Sequence, residues 1–201
     1  CTFNNTEYGT IAGRKFEDLN ANSEDNEDSG LGGWSIYLYQ WNGEGWLSFS
    51  DISTNEETGN YLFSNLLPWT YLVCEGDQEG WYQSYPEEGT SCEGTTGYEI
   101  TLVAGEDVLD KNFGNYRNGS VTGYKFDDTD GDGQWDEGES VLSGWTVYID
   151  ANNDGFLNDG EISTTTDEED GSYGFTNLEP GDYVIREVSQ EGWVQKLPAG
   201  D

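Results

Sequence analysis

Gly144-Trp-Thr-Val-Tyr-Ile149, together with its copy Gly33-Trp-Ser-Ile-Tyr-Leu38 at a spacing of 111 residues, decides how this chain is read. Trp145, Val147 and Ile149 fall on one face and Tyr148 on the other, a period of two that belongs to strands rather than helices. Further copies lie on both sides. Gly9-Thr-Ile-Ala-Gly-Arg-Lys-Phe-Glu-Asp18 returns as Gly119-Ser-Val-Thr-Gly-Tyr-Lys-Phe-Asp-Asp128 at a spacing of 110. Gly59-Asn-Tyr-Leu-Phe-Ser-Asn-Leu66 returns as Gly171-Ser-Tyr-Gly-Phe-Thr-Asn-Leu178 at 112, and Glu79-Gly-Trp81 and Pro86 return as Glu191-Gly-Trp193 and Pro198. The spacing drifts by two residues, so the halves differ by small loop changes around a common frame. Tyr173 with Phe175 and Tyr183 with Ile185 repeat the alternation, and the 28 glycines and the Asn/Asp clusters punctuate it. The predicted fold class is all-β: two tandem β-sandwiches of about 110 residues each, a size that can hold its own core.

Counting along the repeat, Asp201 corresponds to Gly89, so the stretch from Tyr98 to Tyr116 has no copy in the second half. The second sandwich is expected to lack its final strands and to present an open edge. Phe3-Asn-Asn5 before Gly9 echoes Phe113-Gly-Asn115 before Gly119. Residues 1–8 are accordingly read as a strand or linker, 9–116 as repeat one and 117–201 as an incomplete repeat two. Either the chain is cut from a longer tandem array, or the N-terminal strand of one copy completes the open sandwich of the next.

Seven basic against 41 acidic residues leave a formal charge of −34 over 201 residues, which excludes nucleic acid as a partner because a polyanion meets a surface of its own sign. At 33% hydrophobic and 14% aromatic residues the chain can still build cores. No apolar run reaches the roughly 20 residues of a membrane helix. The opening at Cys1 reads as a processed or excised chain, and the composition as extracellular. Of the three cysteines, Cys74 and Cys92 would close a loop worth roughly 3 kcal/mol, leaving Cys1 for an intermolecular disulfide, a lipid or a free thiol.

Asp128-Thr-Asp130-Gly-Asp132-Gly-Gln134-Trp-Asp136-Glu-Gly-Glu139 follows the first strand of repeat two, and Asp150-Ala-Asn152-Asn-Asp154-Gly-Phe156-Leu-Asn158-Asp-Gly-Glu161 follows the second. Both fit a calcium loop: oxygens at positions 1, 3 and 5, a turn glycine at 6, the carbonyl of Gln134 or Phe156 at 7, Asp136 or Asn158 at 9, and a bidentate Glu at 12. The five candidate ligand carboxylates of the first loop repel one another unless a cation neutralises them. Without flanking helical periods, these are calcium loops in a β scaffold. Repeat one carries a weaker copy, Asp18, Asn20, Asn22, Glu24, Asn26 and Asp28, with an ion expected at lower affinity. Its second loop, Tyr39 to Gly45, lacks the carboxylates and is expected to hold no ion.

The order Gly123-Tyr-Lys-Phe-Asp-Asp128, calcium loop, Gly144 to Asp150, second loop, Gly171 to Leu178, Pro180-Gly-Asp-Tyr183 and Arg186-Glu-Val-Ser-Gln-Glu-Gly-Trp-Val-Gln195 resembles the SdrD B-like repeats of cell-surface proteins, relatives of the collagen-adhesin B-type domains. The resemblance covers nearly all of repeat two and most of repeat one. It implies a Greek-key, prealbumin-like sandwich acting as a calcium-stiffened stalk, spacer or surface-fibre subunit. It also implies Lys–Asn isopeptide bonds promoted by a Glu. Lys15 and Lys125 share the parity of Ile11 and Val121, and Glu75 and Glu187 that of Val73 and Ile185, so all four can face the core. Buried unpaired they would cost several kcal/mol, so they must pair or react. Asn115 is the expected acceptor for Lys15, with Asn112 as the fallback; for Lys125 the corresponding residue is Asn5 of another copy. Partners are thus other copies of the chain or further tandem repeats.

Trp34, Trp81, Trp145 and Trp193 occur in both repeats and read as anchors, whereas Trp41, Trp46, Trp69 and Trp135 are unpaired and raise a carbohydrate-binding module, with a glycan as ligand, as the alternative. An enzyme is disfavoured: there is no His, many hard oxygens suit structural ions, and two small repeats leave little room for a deep cleft.

Overall fold

The computed structural model describes residues 1, 4–25 and 29–198. The chain contacts divide into two units, Cys1–Asn118 and Gly119–Asp201. Among the described residues no helix forms, so the fold is all-β, and none of it could cross a membrane as a helix. The first unit contains β1 (Gly9–Glu17), β2 (Ser35–Trp41), β3 (Trp46–Ser53), β4 (Asn60–Leu66), β5 (Trp69–Glu75), β6 (Tyr82–Tyr85), β7 (Thr90–Cys92), β8 (Thr95–Leu102), β9 (Asp107–Val108) and β10 (Phe113–Tyr116). The second contains β11 (Gly119–Tyr124), β12 (Thr146–Ile149), β13 (Ser163–Thr165), β14 (Ser172–Leu178) and β15 (Ile185–Glu187).

In the first unit two five-stranded sheets enclose one core. One runs β4-β1-β10-β6, with β9 also on β1; the other runs β3-β2-β5-β8-β7. Most neighbours are antiparallel, but β10 runs parallel to β1, with Lys15 opposite Phe113 and Glu17 opposite Asn115. The period-two pattern sends Ile11, Ile36, Leu38, Tyr71, Val73 and Phe113 inward, each fully buried. Burial of each such side chain contributes about 1.5–3 kcal/mol. On β5 the intervening residues Leu72 and Cys74 are buried too, packed with Cys92, Tyr39 and Trp46 on the outer face. The Cys74–Cys92 disulfide fastens that layer, joining β5 to β7.

The second unit repeats the first half of this plan. β11 pairs with β14, and β12 lies between β13 and β15. Val147, Ile149, Phe175 and Leu178 form its core with Val121, Tyr173 and Ile185. Backbone conformations recur with the sequence: Asn65 and Asn177, next to last in the equivalent strands β4 and β14, have φ of 57° and 58°. Tyr148 departs from simple alternation. It points away from Val147 yet is only 1% exposed, whereas its counterpart Tyr37 is 37% exposed. Its cross-strand partner is Arg186, which lies on the same face of β12 and β15 and shields it.

Ile36→Ala, at the centre of β2, is expected to lower the unfolding free energy of the first unit by about 2–5 kcal/mol. Leu47→Ala, at a side chain 55% exposed, should change it by no more than about 0.5 kcal/mol. Urea unfolding of the two variants checks the contrast.

Candidate metal loops and buried lysine sites

The segment between β11 and β12 folds onto its own carboxylates. Asp128 accepts the amides of Gly131 (2.8 Å) and Gly133 (3.0 Å), Asp130 that of Asp132 (3.1 Å) and Asp132 that of Gln134 (2.8 Å). Glu139 closes the loop by accepting Thr129 N–H with one oxygen and Asp136 N–H with the other, at 2.8 and 3.0 Å. This ladder gathers oxygens of Asp128, Asp130 and Glu139, and of Asp130, Asp132 and Asp136, each trio lying within 4.8 Å of one another. The crowding has an electrostatic signature: Asp132 above all, then burial, Asp130, Glu139 and Asp128, raise the Asp136 pKa above the ordinary carboxylate value. A hard divalent cation would remove that repulsion, and an all-oxygen set closed by a Glu fits calcium better than a soft metal.

The loop after β12 is built the same way. Asp150 accepts from Asp154 N–H (3.1 Å) and Gly155 N–H (2.9 Å), Asn152 from Asp154 N–H and Asp154 from Phe156 N–H. Glu161 accepts Ala151 N–H and Asn158 N–H, as Glu139 does in the first loop. One cation is already present. Arg186 Nε lies 2.6 Å from Asp150 Oδ2, and its terminal nitrogen 2.6 Å from Asn153 Oδ1. Burial pushes the Asp150 pKa up, but the Gly155 and Asp154 amides and Arg186 outweigh it and hold the carboxyl below its usual value. Among the described residues, Asp150, Asp154 and Glu161 do not form a close trio like those of the first loop. The asparagine amide N–H groups of Asn152 and Asn158 instead donate to Asp154.

In the first unit Asp18 is fully buried and starts the same ladder, accepting Asn22 N–H and Ser23 N–H at 3.1 and 2.9 Å. Asn20 and Asn22 accept from Asn22 and Glu24. Ser23 has a φ of 64° where Gly133 and Gly155 have 81° and 82°, so this loop makes the glycine turn with a serine. Asp25 pairs with Arg14. Asn26 and Asp28 lie outside the described residues. Residues 39–45 fold as a tight hairpin between β2 and β3, with Asn42 accepting Glu44 N–H and Gly45 N–H.

The lysines face inward. Lys15 is fully buried, Glu75 is 3% and Asn115 4% exposed. The Lys15 Nζ lies 2.7 Å from Glu75 Oε2, donates to Asn115 Oδ1, and sits 4.3 Å from the centroid of the Trp34 ring. Besides Lys15, the Asn115 side chain is the other hydrogen-bonding group at the Glu75 carboxylate. Burial lowers the Lys15 pKa to about 8 against the pull of Glu75, and burial raises that of Glu75 against the pull of Lys15. Burial therefore brings the two groups closer in proton affinity than they are in water. Asn112 is engaged elsewhere, its Oδ1 accepting Arg14 N–H at 2.9 Å. Of the two acceptors considered from sequence, Asn115 is the one at the lysine.

The second unit reproduces this frame. Lys125 Nζ is 2.7 Å from Glu187 Oε2 and 4.5 Å from the Trp145 ring centroid. Backbone contacts fix both lysines: Lys15 N–H donates to Gly59 O and Lys125 N–H to Gly171 O, at 2.8 and 2.9 Å. A Cβ at Gly59 would stand 2.1 Å from the Lys15 carbonyl oxygen, and one at Gly171 2.6 Å from that of Lys125, which is why both positions are glycine. The tryptophans are pinned by threonines not singled out above. Thr54 Oγ1 accepts Trp34 N–H and donates to Leu31 O, and Thr166 does the same for Trp145 and Leu142. Their spacing of 112 was a legible signal.

Of the unpaired tryptophans, Trp135 stacks on Phe126, with ring centroids 5.7 Å apart. Trp41 meets Trp46 edge to face, and Trp69 Nε1 donates to the Trp41 carbonyl.

Residues 119–199 match the model of the SdrD B-like domain. Over 90% of its length the chain is 30% identical to serine-aspartate repeat-containing protein F of Staphylococcus epidermidis, of which it covers 11%. Over 89% it is 29% identical to serine-aspartate repeat-containing protein D of Staphylococcus aureus strain Newman, of which it covers 13%. The chain thus spans only a small part of these relatives. Solved structures of a streptococcal ancillary pilin (18% identity, TM-score 0.41, 96% of this chain and 57% of that one) and of the shaft pilin SpaA from Lactobacillus rhamnosus GG (15%, 0.37, 94% and 89%) are distant likenesses.

Asn115→Ala removes the acceptor and leaves Lys15 titrating. An amine near 8 folded and 10.5 unfolded means that the unfolded state holds the extra proton between these values, so stability should rise with pH across that window. Against Lys15→Met/Asn115→Ala as reference, the gain should approach about 2–3 kcal/mol. Urea unfolding at pH 7.5, 9 and 10 would measure it.

Proposed function

We propose that this chain is an extracellular, non-enzymatic stalk or spacer module of a cell-surface protein or surface fibre, stiffened by calcium and locked within repeat one by a Lys15–Asn115 isopeptide bond. The observation that carries the reading is the convergence of the Asp128, Asp130, Asp132, Asp136 and Glu139 carboxylates in a loop whose backbone is already folded around them. Such a loop stores repulsion that an ion relieves, so ion binding contributes to folding free energy and restrains the segment joining β11 to β12. The Cys74–Cys92 disulfide fits an oxidising compartment outside the cell. The family match of the second unit and the repeat organisation support a role as one link in a series, whose neighbours meet by tandem continuation or strand donation.

Calcium, when bound, supplies charge neutralisation. Asp128, Asp130, Asp132, the Gln134 carbonyl, Asp136 and Glu139 would hold one ion. Asp150, Asn152, Asp154, the Phe156 carbonyl, Asn158 and Glu161 would hold a second, with Arg186 as a competing cation at Asp150. Asp18, Asn20, Asn22 and Glu24 offer a weaker set. The lock uses this chain's own residues alone. Lys15, as the neutral amine, attacks Cγ of Asn115; protonated Glu75 polarises Oδ1 and relays the proton to Nδ2; the Cγ–Nδ2 bond breaks and ammonia leaves. An ion pair that is costly to bury becomes a neutral amide that pulling cannot separate.

Calcium at millimolar concentration is expected to raise the melting temperature of the second unit, and a chelator to reverse it. Glu139→Gln should abolish most of the rise, and Glu161→Gln a smaller part. A calcium-independent melt contradicts the reading. Calorimetry of the wild type and both variants decides.

A further inference from the structure

Strand β2 ends at Trp41, one residue past the Gln40–Tyr71 pair, and β5 opens at Trp69, two residues before it, so both tryptophans stand at the same end of the β3-β2-β5-β8-β7 sheet. On the other side of β5, β8 sets Thr101 opposite Thr70 and Leu102 opposite Trp69. Together they border an open groove of about 530 Å³, whose eight lining residues include Trp41, Asn42, Pro68, Trp69, Thr70 and Thr101. Trp69 is 50% exposed and Trp41 37%, apolar surface that folding has left in water. The rings are held in place. Trp69 Nε1 donates to the Trp41 carbonyl, and Trp41 meets Trp46 edge to face with centroids 5.1 Å apart. The one polar atom of the Trp69 side chain is thus spent within the protein, and what it offers outward is its ring.

The repeat frame does not require this groove. At the spacing of 111 Trp41 corresponds to Asn152, and at 112 Trp69 corresponds to Gly181 and Thr70 to Asp182. The strand end that carries an oxygen-rich loop in one repeat carries bare indole in the other. Among the described residues the lining has no charged side chain, although 24% of the chain is charged. A cation therefore finds no carboxylate in the groove, and a polyanion is repelled by the net charge of −34. Eight residues are also too few to seat a stable protein partner, which engages about 20–30 on each side.

We infer that the groove is a binding site for a neutral polysaccharide, with sugar rings stacked on Trp41 and Trp69 and their hydroxyls bonded to Asn42, Thr70 and Thr101. A pyranose meets both demands of the lining, since one face of the ring is flat C–H surface and its rim is hydroxyl. The polar groups are suitably placed. The Thr70 and Thr101 hydroxyls lie 3.3 Å apart on the exposed side of the strand pair, and each can donate or accept. Asn42 Oδ1 is taken by the Glu44 and Gly45 amides, which leaves the Asn42 NH2 to donate. The inference goes beyond the stalk reading and does not rest on it: it gives one module of the stalk a ligand.

The test uses the whole chain in native gels cast with a neutral soluble polysaccharide, in turn hydroxyethylcellulose, dextran, laminarin and mannan, and with carboxymethylcellulose as the anionic counterpart. At least one neutral polymer should retard the protein and shift its tryptophan fluorescence, and carboxymethylcellulose should do neither. Because stacking is unscreened, raising salt from about 0.1 M to about 1 M should leave the affinity within about twofold. Trp41→Ala and Trp69→Ala should each weaken binding about tenfold. Thr101→Val, an exposed exchange of hydroxyl for methyl, should weaken it severalfold with the melting temperature unchanged. Leu62→Ala, at an exposed side chain of the other sheet, should leave binding as it was. No retardation by any neutral polymer overturns the proposal, as does retardation that persists in the Trp41→Ala/Trp69→Ala double variant. A concentration-dependent dimer in sedimentation that Trp69→Ala dissolves would assign the groove to a second copy and overturn it too. The calcium-dependent melt of the second unit reports on the stalk reading separately.

Discussion

A lysine with no exposed surface, set against a glutamate with almost none, is the constraint around which the first unit is organised. Two charges in that position cost several kcal/mol each after relaxation, and their mutual attraction only partly offsets this. The surroundings answer the cost in three ways. The face of Trp34 lies under the ammonium, the Asn115 carboxamide accepts from it, and the parallel strand β10 closes the sheet over both. Gly59 lets the neighbouring strand approach near enough to fix the lysine backbone. An arrangement this specific is poorly explained as packing alone, since a hydrophobic residue would fill the volume at lower cost.

The acidic loops follow the opposite logic. Apart from Asp18 and Asp150, which are buried at the head of their loops, most of their charges are exposed, and there the cost is mutual repulsion rather than desolvation. Backbone amides absorb part of it through a ladder that all three loops share, whether the sixth position is Gly133, Gly155 or Ser23. The two kinds of site are neighbours along the chain: Lys15 lies on β1 and Asp18 directly follows that strand, while Lys125 directly follows β11 and Asp128 comes three residues later. Ordering the loop therefore bears directly on the lysine that precedes it.

Much of this was legible in the sequence because the chain states its frame twice. Lys15 and Lys125, the anchor tryptophans and the loop carboxylates stand out on comparing the halves or applying period-two parity, and the Cys74–Cys92 pairing on the spacing of the cysteines. Arg186 was not legible, because its reach to Asp150 depends on β15 pairing with β12 at one register. The burial of Tyr148 was missed for the same reason: alternation assigns a face but does not say what covers it. At Asn42, where the second-loop carboxylates are absent, β2 and β3 pair from Ser35–Ser53 to Trp41–Trp46 with one register shift at Leu38/Tyr39.

The account turns on whether the buried lysine is spent in a covalent bond. Mass spectrometry of the intact chain, followed by digestion and sequencing of the fragment containing Lys15, tests this most directly. The account predicts a monomer lighter than its sequence by about 17 Da, the ammonia lost in amide formation, with Lys15 joined to Asn115 in one branched peptide and the full mass restored by Glu75→Ala. A full-mass chain whose Lys15 and Asn115 peptides separate freely would contradict it.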